Sequence, residues 1–232
     1  VVDAAIGAAP GGGAEVVHSQ RPGILQALGD GARHRVVGAR RQAGGQLPDA
    51  GFLLPVVDQL GVMLDASALA QTGQQPESDL LDLADKVPLD ASPDLWQLVA
   101  GMLGGIDDMY KGQPERQAVF RKYALSRLSP KFEQLGWESR AGDSSTIKDL
   151  RTSLIGTLSG MGDAKVIAEA RRRFAASASD PAAMPPDLRR TVLGIVAYNA
   201  DAATWDKLHA MARSEQSSMI RDQYYGLLAR TR

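Results

Sequence analysis

The stretch Asp149–Gly156 reads DLRTSLIG, and 38 positions later Asp187–Gly194 reads DLRRTVLG. The same shift lays Asp163 on Asp201 and Ala164 on Ala202, with apolar matches at Leu154/Val192, Ile155/Leu193 and Leu158/Val196. A shift of 55 instead places Asp94, Leu95, Gly101, Leu103, Gly105 and Asp108 on Asp149, Leu150, Gly156, Leu158, Gly160 and Asp163. One phrase therefore occurs three times. The extra 17 residues between the first two copies are taken up by a longer helix, 114–135, and a loop from Gly136 to Ser145.

Each copy reads as a helix, a tight turn at Asp108, Asp163 or Asp201 that caps the next helix, and a second helix packed back on the first. A glycine in a helix interior costs about 1 kcal/mol relative to alanine. Gly101, Gly156 and Gly194, each in the middle of its first helix, thus predict that another backbone passes close by. A period near 40 residues with two helices per unit, none able to bury its apolar stripe alone, is the pattern of a HEAT/armadillo-like α-solenoid of antiparallel helix pairs.

The rest of the chain agrees from Val56 onward. From Asp94, apolar side chains recur at Leu95, Leu98, Val99, Met102, Ile106, Met109 and Tyr110, one stripe of a 3.6-residue period. Ser92 is placed to cap this helix, and Pro93 suits its first position, where the missing N–H has no partner to lose. The same reading predicts helices over 56–72, 77–87, 94–110, 114–135, 146–161, 164–177, 187–198, 202–214 and 217–230, separated by Gly73, Gly112, Gly136, Gly162 and several prolines. The fold class is all-α.

Residues 1–55 differ in kind. They hold 11 of the 24 glycines and no lysine, tyrosine or tryptophan. Pro10-Gly-Gly-Gly13 and Gly44-Gly45 break any helical period, leaving an irregular Gly/Ala-rich segment with at most short strands. The domain boundary is expected at residue 56. The chain opens on Val, as a processed product or fragment would.

Composition excludes several function classes. A net charge of −1, from 26 basic and 27 acidic residues, gives no field to recruit nucleic acid or an anionic membrane. No apolar run approaches the roughly 20 residues that cross a bilayer. With no cysteine, disulfides, zinc–thiolate sites and thiol nucleophiles are all excluded.

Chemistry-bearing patterns are equally sparse. His18, His34 and His209 form no His-Glu-x-x-His pair, no Gly-x-Ser-x-Gly elbow occurs, and Pro10–Gly13 is not a phosphate-binding loop. His209, beside Leu208 and Met211, reads as a partly buried structural residue. Asp107 and Asp108 diverge on a helix, and Arg171-Arg172-Arg173 reads as a solvated face near a helix C-terminus. Tyr224-Tyr225 with Arg221 offers an aromatic and cationic surface for a peptide, although Tyr224 also falls in the apolar stripe Ile220, Tyr224, Leu227, Leu228. No catalytic or metal-ligating residue is assigned, and the chain itself is expected to need no cofactor.

Several stretches, in order, carry a resemblance: DQLGVMLDASALAQTG (Asp58–Gly73), WQLVAGMLGGIDDMY (Trp96–Tyr110), LGW (Leu135–Trp137), GDAKVIAEARRRF (Gly162–Phe174) and DQYYGLLA (Asp222–Ala229). They resemble the C-terminal helical domain of bacterial zinc aminopeptidases of the aminopeptidase N and puromycin-sensitive aminopeptidase family, over about residues 56–232.

The resemblance implies a non-catalytic bowl that closes the substrate chamber of a zinc enzyme cleaving peptides from the N-terminus. Its partners would be the catalytic domain of the same polypeptide and the peptide, whose distal part Arg221 and Tyr224 would contact. The zinc would sit on the parent enzyme's His-Glu-x-x-His helix, which this chain lacks. The setting would be soluble, in bacterial cytoplasm or periplasm. In such relatives the run before Asp58 belongs to a small β-sandwich with a Gly-Tyr-Tyr-Arg-type strand. Nothing like it stands in 1–55, whose composition resembles GC-rich DNA translated out of frame. The alternative from another class is a free-standing α-solenoid scaffold that binds a protein or peptide on its concave face.

Overall fold

The computed structural model describes residues 55–231. The expectations of residual strands or mis-framed sequence within 1–54, and the placement of His18 and His34, lie outside the described residues.

Among the described residues the chain forms nine α-helices and one 3₁₀ turn, with no strand. They are α1 Val56–Gln71, α2 Glu77–Asp85, α3 Pro93–Met109, α4 Pro114–Leu135, α5 Ser145–Gly160, α6 Ala164–Ala176, the turn Pro181–Ala183, α7 Pro186–Tyr198, α8 Ala202–Ser214 and α9 Ser218–Leu228. Local chemistry sets their starts. Ser92, Ser144, Asp163 and Asp201 each accept a hydrogen bond from the backbone N–H three residues on, satisfying a donor the helix leaves unpaired. Pro93, Pro114 and Pro186 occupy first positions.

The turn between α5 and α6 spans three residues. Gly162 takes φ +88°, a left-handed conformation that suits glycine, and the Asp163 N–H reaches back to the Leu158 carbonyl at 2.9 Å. Asp163 therefore closes one helix with its backbone and opens the next with its side chain. Asp201 caps α8 in the same way with its carboxylate.

Asp108 does not. It lies in the last turn of α3 and pairs with Lys111 at 2.8 Å, while α4 starts after Gln113. At the position equivalent to Gly162 the first copy has Asp107, which stays helical and accepts from Arg121. α3 ends at Met109, and Gly112, φ +88°, follows in the loop before α4.

The helices form two layers. The odd-numbered helices pack in a row, α1 on α3, α3 on α5, α5 on α7 and α7 on α9. The even helices each lie back on the preceding odd helix, and α4 reaches α2 through long side chains, with Tyr123 and Arg127 donating to the Leu81 and Ala84 carbonyls. The odd row, the more continuously packed of the two layers, is termed the inner row. This is an α-solenoid.

The repeated phrase fills the core by register. Leu95, Leu150 and Leu188 are equivalent, as are Val99, Leu154 and Val192, and Leu103, Leu158 and Val196, and all nine are at most 1% exposed. Burying each such side chain stabilises the fold by roughly 1.5–3 kcal/mol.

The stripe expected on α3 is rotated. Leu98 and Met102 are only partly buried and Met109 is 57% exposed, whereas Trp96, Ala100 and Asp107 are buried. An odd helix has odd neighbours on both flanks and an even helix behind, so its buried arc is wider than one stripe and turns toward Trp96. The Trp96 indole N–H donates to the Pro88 carbonyl, and Arg127 lies over its ring at 5.2 Å.

Candidate functional site

Every glycine inside a described helix lies in the odd row: Gly61 in α1, three in α3 including Gly101, Gly156 and Gly160 in α5, Gly194 in α7 and Gly226 in α9. The even helices have none. The expected close approach of a second backbone is absent. A side chain at Gly101 or Gly156 would meet nothing within 4 Å, and at Gly194 only the end of Leu227 at 4.0 Å. Gly101 and Gly156 face solvent, so what they provide is a smooth, side-chain-free surface on the inner row.

The loop between α4 and α5 is held by two buried guanidinium groups. Arg151, 1% exposed, donates to the Gly136 carbonyl at 3.1 Å, Ser139 Oγ at 3.3 Å and Asp143 Oδ2 at 2.5 Å. A backbone N–H from Arg140 and this guanidinium hold the Asp143 carboxyl below its ordinary range. Arg173 donates to Glu138 and Glu169 and stacks 4.9 Å from the Trp137 ring centre. Bonds from Arg172 first, and Arg173 with it, lower the Glu169 carboxyl against the opposing effect of burial.

The arginine run is therefore not a uniformly solvated face. Arg172 is exposed and pairs with Glu169, and Arg171 donates to the Asn199 carbonyl, but Arg173 is 6% exposed and structural. Its partner Glu138 lies 35 residues away, beyond the reach of helical spacing.

Asp107 likewise serves structure, accepting two bonds from Arg121 at 2.7 and 2.8 Å. His209 lies between Trp205, at 4.9 Å, and Tyr225, at 6.2 Å, as a partly buried ring in an aromatic stack. Among the described residues no group of three or more His, Asp or Glu is placed to hold a metal. None of the described helices is long and apolar enough to cross a membrane.

A cavity of about 530 Å³ opens between α7 and α9. Arg189, Arg190 and Leu193 come from α7, Tyr224 and Leu227 from α9, and Arg230 from just beyond it. No even-numbered helix contributes. Tyr224 is 5% exposed, and its hydroxyl accepts from Arg189 Nη2 at 3.3 Å. Leu228, one residue beyond Leu227, is buried beneath, which fixes the face of α9 that meets α7. Glu215 is the one carboxylate in the lining, and its Oε1 already accepts from the Ser217 N–H. Among the described residues none of the three arginines has a carboxylate within ion-pair distance.

The structure thus brings one of the two sequence-derived contact residues, Tyr224, into a cavity. Arg221 is half-buried and does not line it. Arg189, Arg190 and Arg230 escaped the sequence reading because the α7–α9 contact that gathers them is tertiary. One signal was present, the alignment of Arg189 with Arg151 in the repeat.

Residues 41–232 match the family described as "ERAP1-like C-terminal domain", a match that begins within the Gly/Ala-rich segment. Aminopeptidase 2 of Candida albicans is 29% identical over 167 residues, 71% of this chain and 18% of that protein. Aminopeptidase M1-A of Oryza sativa subsp. japonica is 28% identical over 141 residues, 59% of this chain and 16% of that protein. Aminopeptidase M1 of Arabidopsis thaliana is 27% identical over 183 residues, 76% and 21% respectively. The chain spans about a fifth of the length of the curated relatives it matches. With the match covering most of its length, the chain belongs to the ERAP1-like C-terminal domain family.

Proposed function

We propose that this chain is the non-catalytic C-terminal domain of a bacterial zinc-dependent metallo-aminopeptidase, closing the substrate chamber and contacting the distal part of the bound peptide. The observation that carries the reading is the family match over residues 41–232 of a chain a fifth as long as relatives named aminopeptidases. The helix pairs are of the HEAT-like kind, and the domain proper starts at residue 56, after the Gly/Ala-rich stretch of sequence.

Zinc belongs to the rest of such an enzyme. The described donor set does not fit it, since His209 is the sole described histidine and lies in an aromatic stack. The inner row would form the chamber wall. Its glycines leave room for an extended peptide, and polar groups at the α7–α9 end meet the distal residues. Tyr224 acts there together with Arg189, and Arg221 is a proposed contact on the same helix.

Expression of the longer polypeptide with its upstream coding region tests this. It should contain one zinc and release N-terminal residues from peptides, while the 232-residue chain alone binds no zinc and turns nothing over. Zinc-dependent turnover by the isolated chain would sink the reading. So would a native start codon at Val1 with no peptidase sequence upstream, which favours the free-standing scaffold.

A further inference from the structure

The even helices α6 and α8 flank α7, and a second cavity, of about 790 Å³, opens between them. Val196 and Met184, 1% and 5% exposed, form its floor. Both walls change character along their length. On α6 the lining begins with Arg171 and continues with Phe174 and, just past the helix, Ala178. On α8 it begins with Thr204 and Lys207 and continues with Ala210 and Met211. Arg171 Nη2 donates to the Asn199 carbonyl at 2.7 Å, just ahead of α8, so the two polar stretches share one end of the cavity. Asp201 lies at that end too, but its carboxylate is engaged by Thr204, whose bonds, with the charge of Arg171 nearby, hold it below its ordinary range. Among the described residues neither Arg171 nor Lys207 has a carboxylate within ion-pair distance. Arg189 touches the cavity from α7 and donates to the Tyr224 hydroxyl of α9. The gap between α4 and α6 has the opposite balance, with Glu133, Asp163 and Glu169 around Lys165.

We propose that the α6–α8 cavity binds a free single-chain carboxylic acid, its carboxylate on Arg171 and Lys207 and its alkyl chain on Phe174, Met184 and Met211. A guanidinium presents paired donors that match a carboxylate's two oxygens, and the ammonium adds a second charge. Methionine side chains are unbranched and adapt to a flexible chain. Helical rise places Met211 about 10 Å along α8 from Thr204, a span for a chain of roughly eight carbons. The polar end thus selects an acid over the matching alcohol, and the apolar end selects a long acid over a short one. The site lies between even helices and does not depend on what the inner row binds.

The test uses the full 232-residue chain and three probes: octanoate, 1-octanol and acetate. Binding is read by titration calorimetry and by the methionine methyl resonances. Octanoate should bind at least about tenfold more tightly than 1-octanol, and acetate should not bind at millimolar concentration. The Met184 and Met211 methyls should shift, while that of Met219, 68% exposed on α9, stays in place. Lys207→Gln, at an exposed position, should weaken octanoate at least about threefold without affecting 1-octanol. Lys165→Gln, an equal loss of charge outside the cavity, should change neither. Ala210→Phe should block both. Equal affinity for octanoate and 1-octanol, unmoved Met184 and Met211 methyls, or an octanoate affinity unchanged in Lys207→Gln would overturn the proposal. None of these results bears on whether the parent polypeptide is an aminopeptidase, which zinc content and turnover decide separately.

Discussion

Arg151 and Asp143 meet at 2.5 Å across a loop whose counterpart in the next copy of the repeat has Pro181 in place of the aspartate, with Arg151 1% exposed and all of its hydrogen bonds directed into the loop. The pair fixes residues 136–144 against α5. Removing one member of a buried ion pair leaves the other charged and unsolvated. Arg151→Ala should therefore destabilise the chain by roughly 3 kcal/mol, a fall in Tm of about 10 °C by calorimetry. Arg151→Lys should recover only part of this, because one ammonium cannot match a carbonyl, a hydroxyl and a carboxylate in the guanidinium's planar geometry. Equal Tm values for the wild type and Arg151→Ala would show the pair to be dispensable.

Acid should release the same loop. Asp143 and Glu169 both have folded carboxyls held below their ordinary values of 3.8 and 4.5. Their contribution is therefore complete above those values and is lost as pH falls through the lower folded ones. The Trp137 indole resonance, under Arg173, should stay constant from neutrality to about pH 5 and shift only below the ordinary carboxylate range. Titration near neutrality would contradict this.

The two aspartates that looked alike in the repeat should behave differently. Asp163→Ala removes a true N-cap and should cost about 1 kcal/mol. Asp108→Ala removes only an exposed pair with Lys111 and should leave Tm within error, as exposed pairs contribute little. Equal losses in the two variants would mean that α3 ends where the repeat alone places it.

Gly156→Ala and Gly101→Ala should each stabilise the chain by up to about 1 kcal/mol, because helix propensity favours alanine and a Cβ meets nothing at either site. A fall in Tm would restore the close backbone contact that the sequence implied.

These cases mark what sequence could and could not carry. Helix starts were legible because Ser92, Pro93, Pro114, Asp163 and Asp201 act within one turn of themselves, and observed starts fall within a residue of those expected. The core was legible because Leu95, Leu150 and Leu188 repeat the same burial. The helix over 94–110 was legible, but the capping role expected of Asp108 was missed, because Asp108 stays in the last turn of α3 and α4 starts only after Gln113. The buried state of Arg173 and the cavity at Arg189 depend on partners 35 residues away, Glu138 and Tyr224, and no local period encodes contacts of that span.

If the inner row lines the chamber proposed above, a side chain at position 156 projects into it, and Gly156→Arg in the longer polypeptide reads this out. Hydrolysis of an aminoacyl arylamide and of peptides of increasing length would be compared with the wild type. Unchanged kcat/KM is expected for the arylamide, with a progressive loss for longer peptides as the new side chain projects into the space they occupy. An equal effect on every substrate, or none on any, would contradict it.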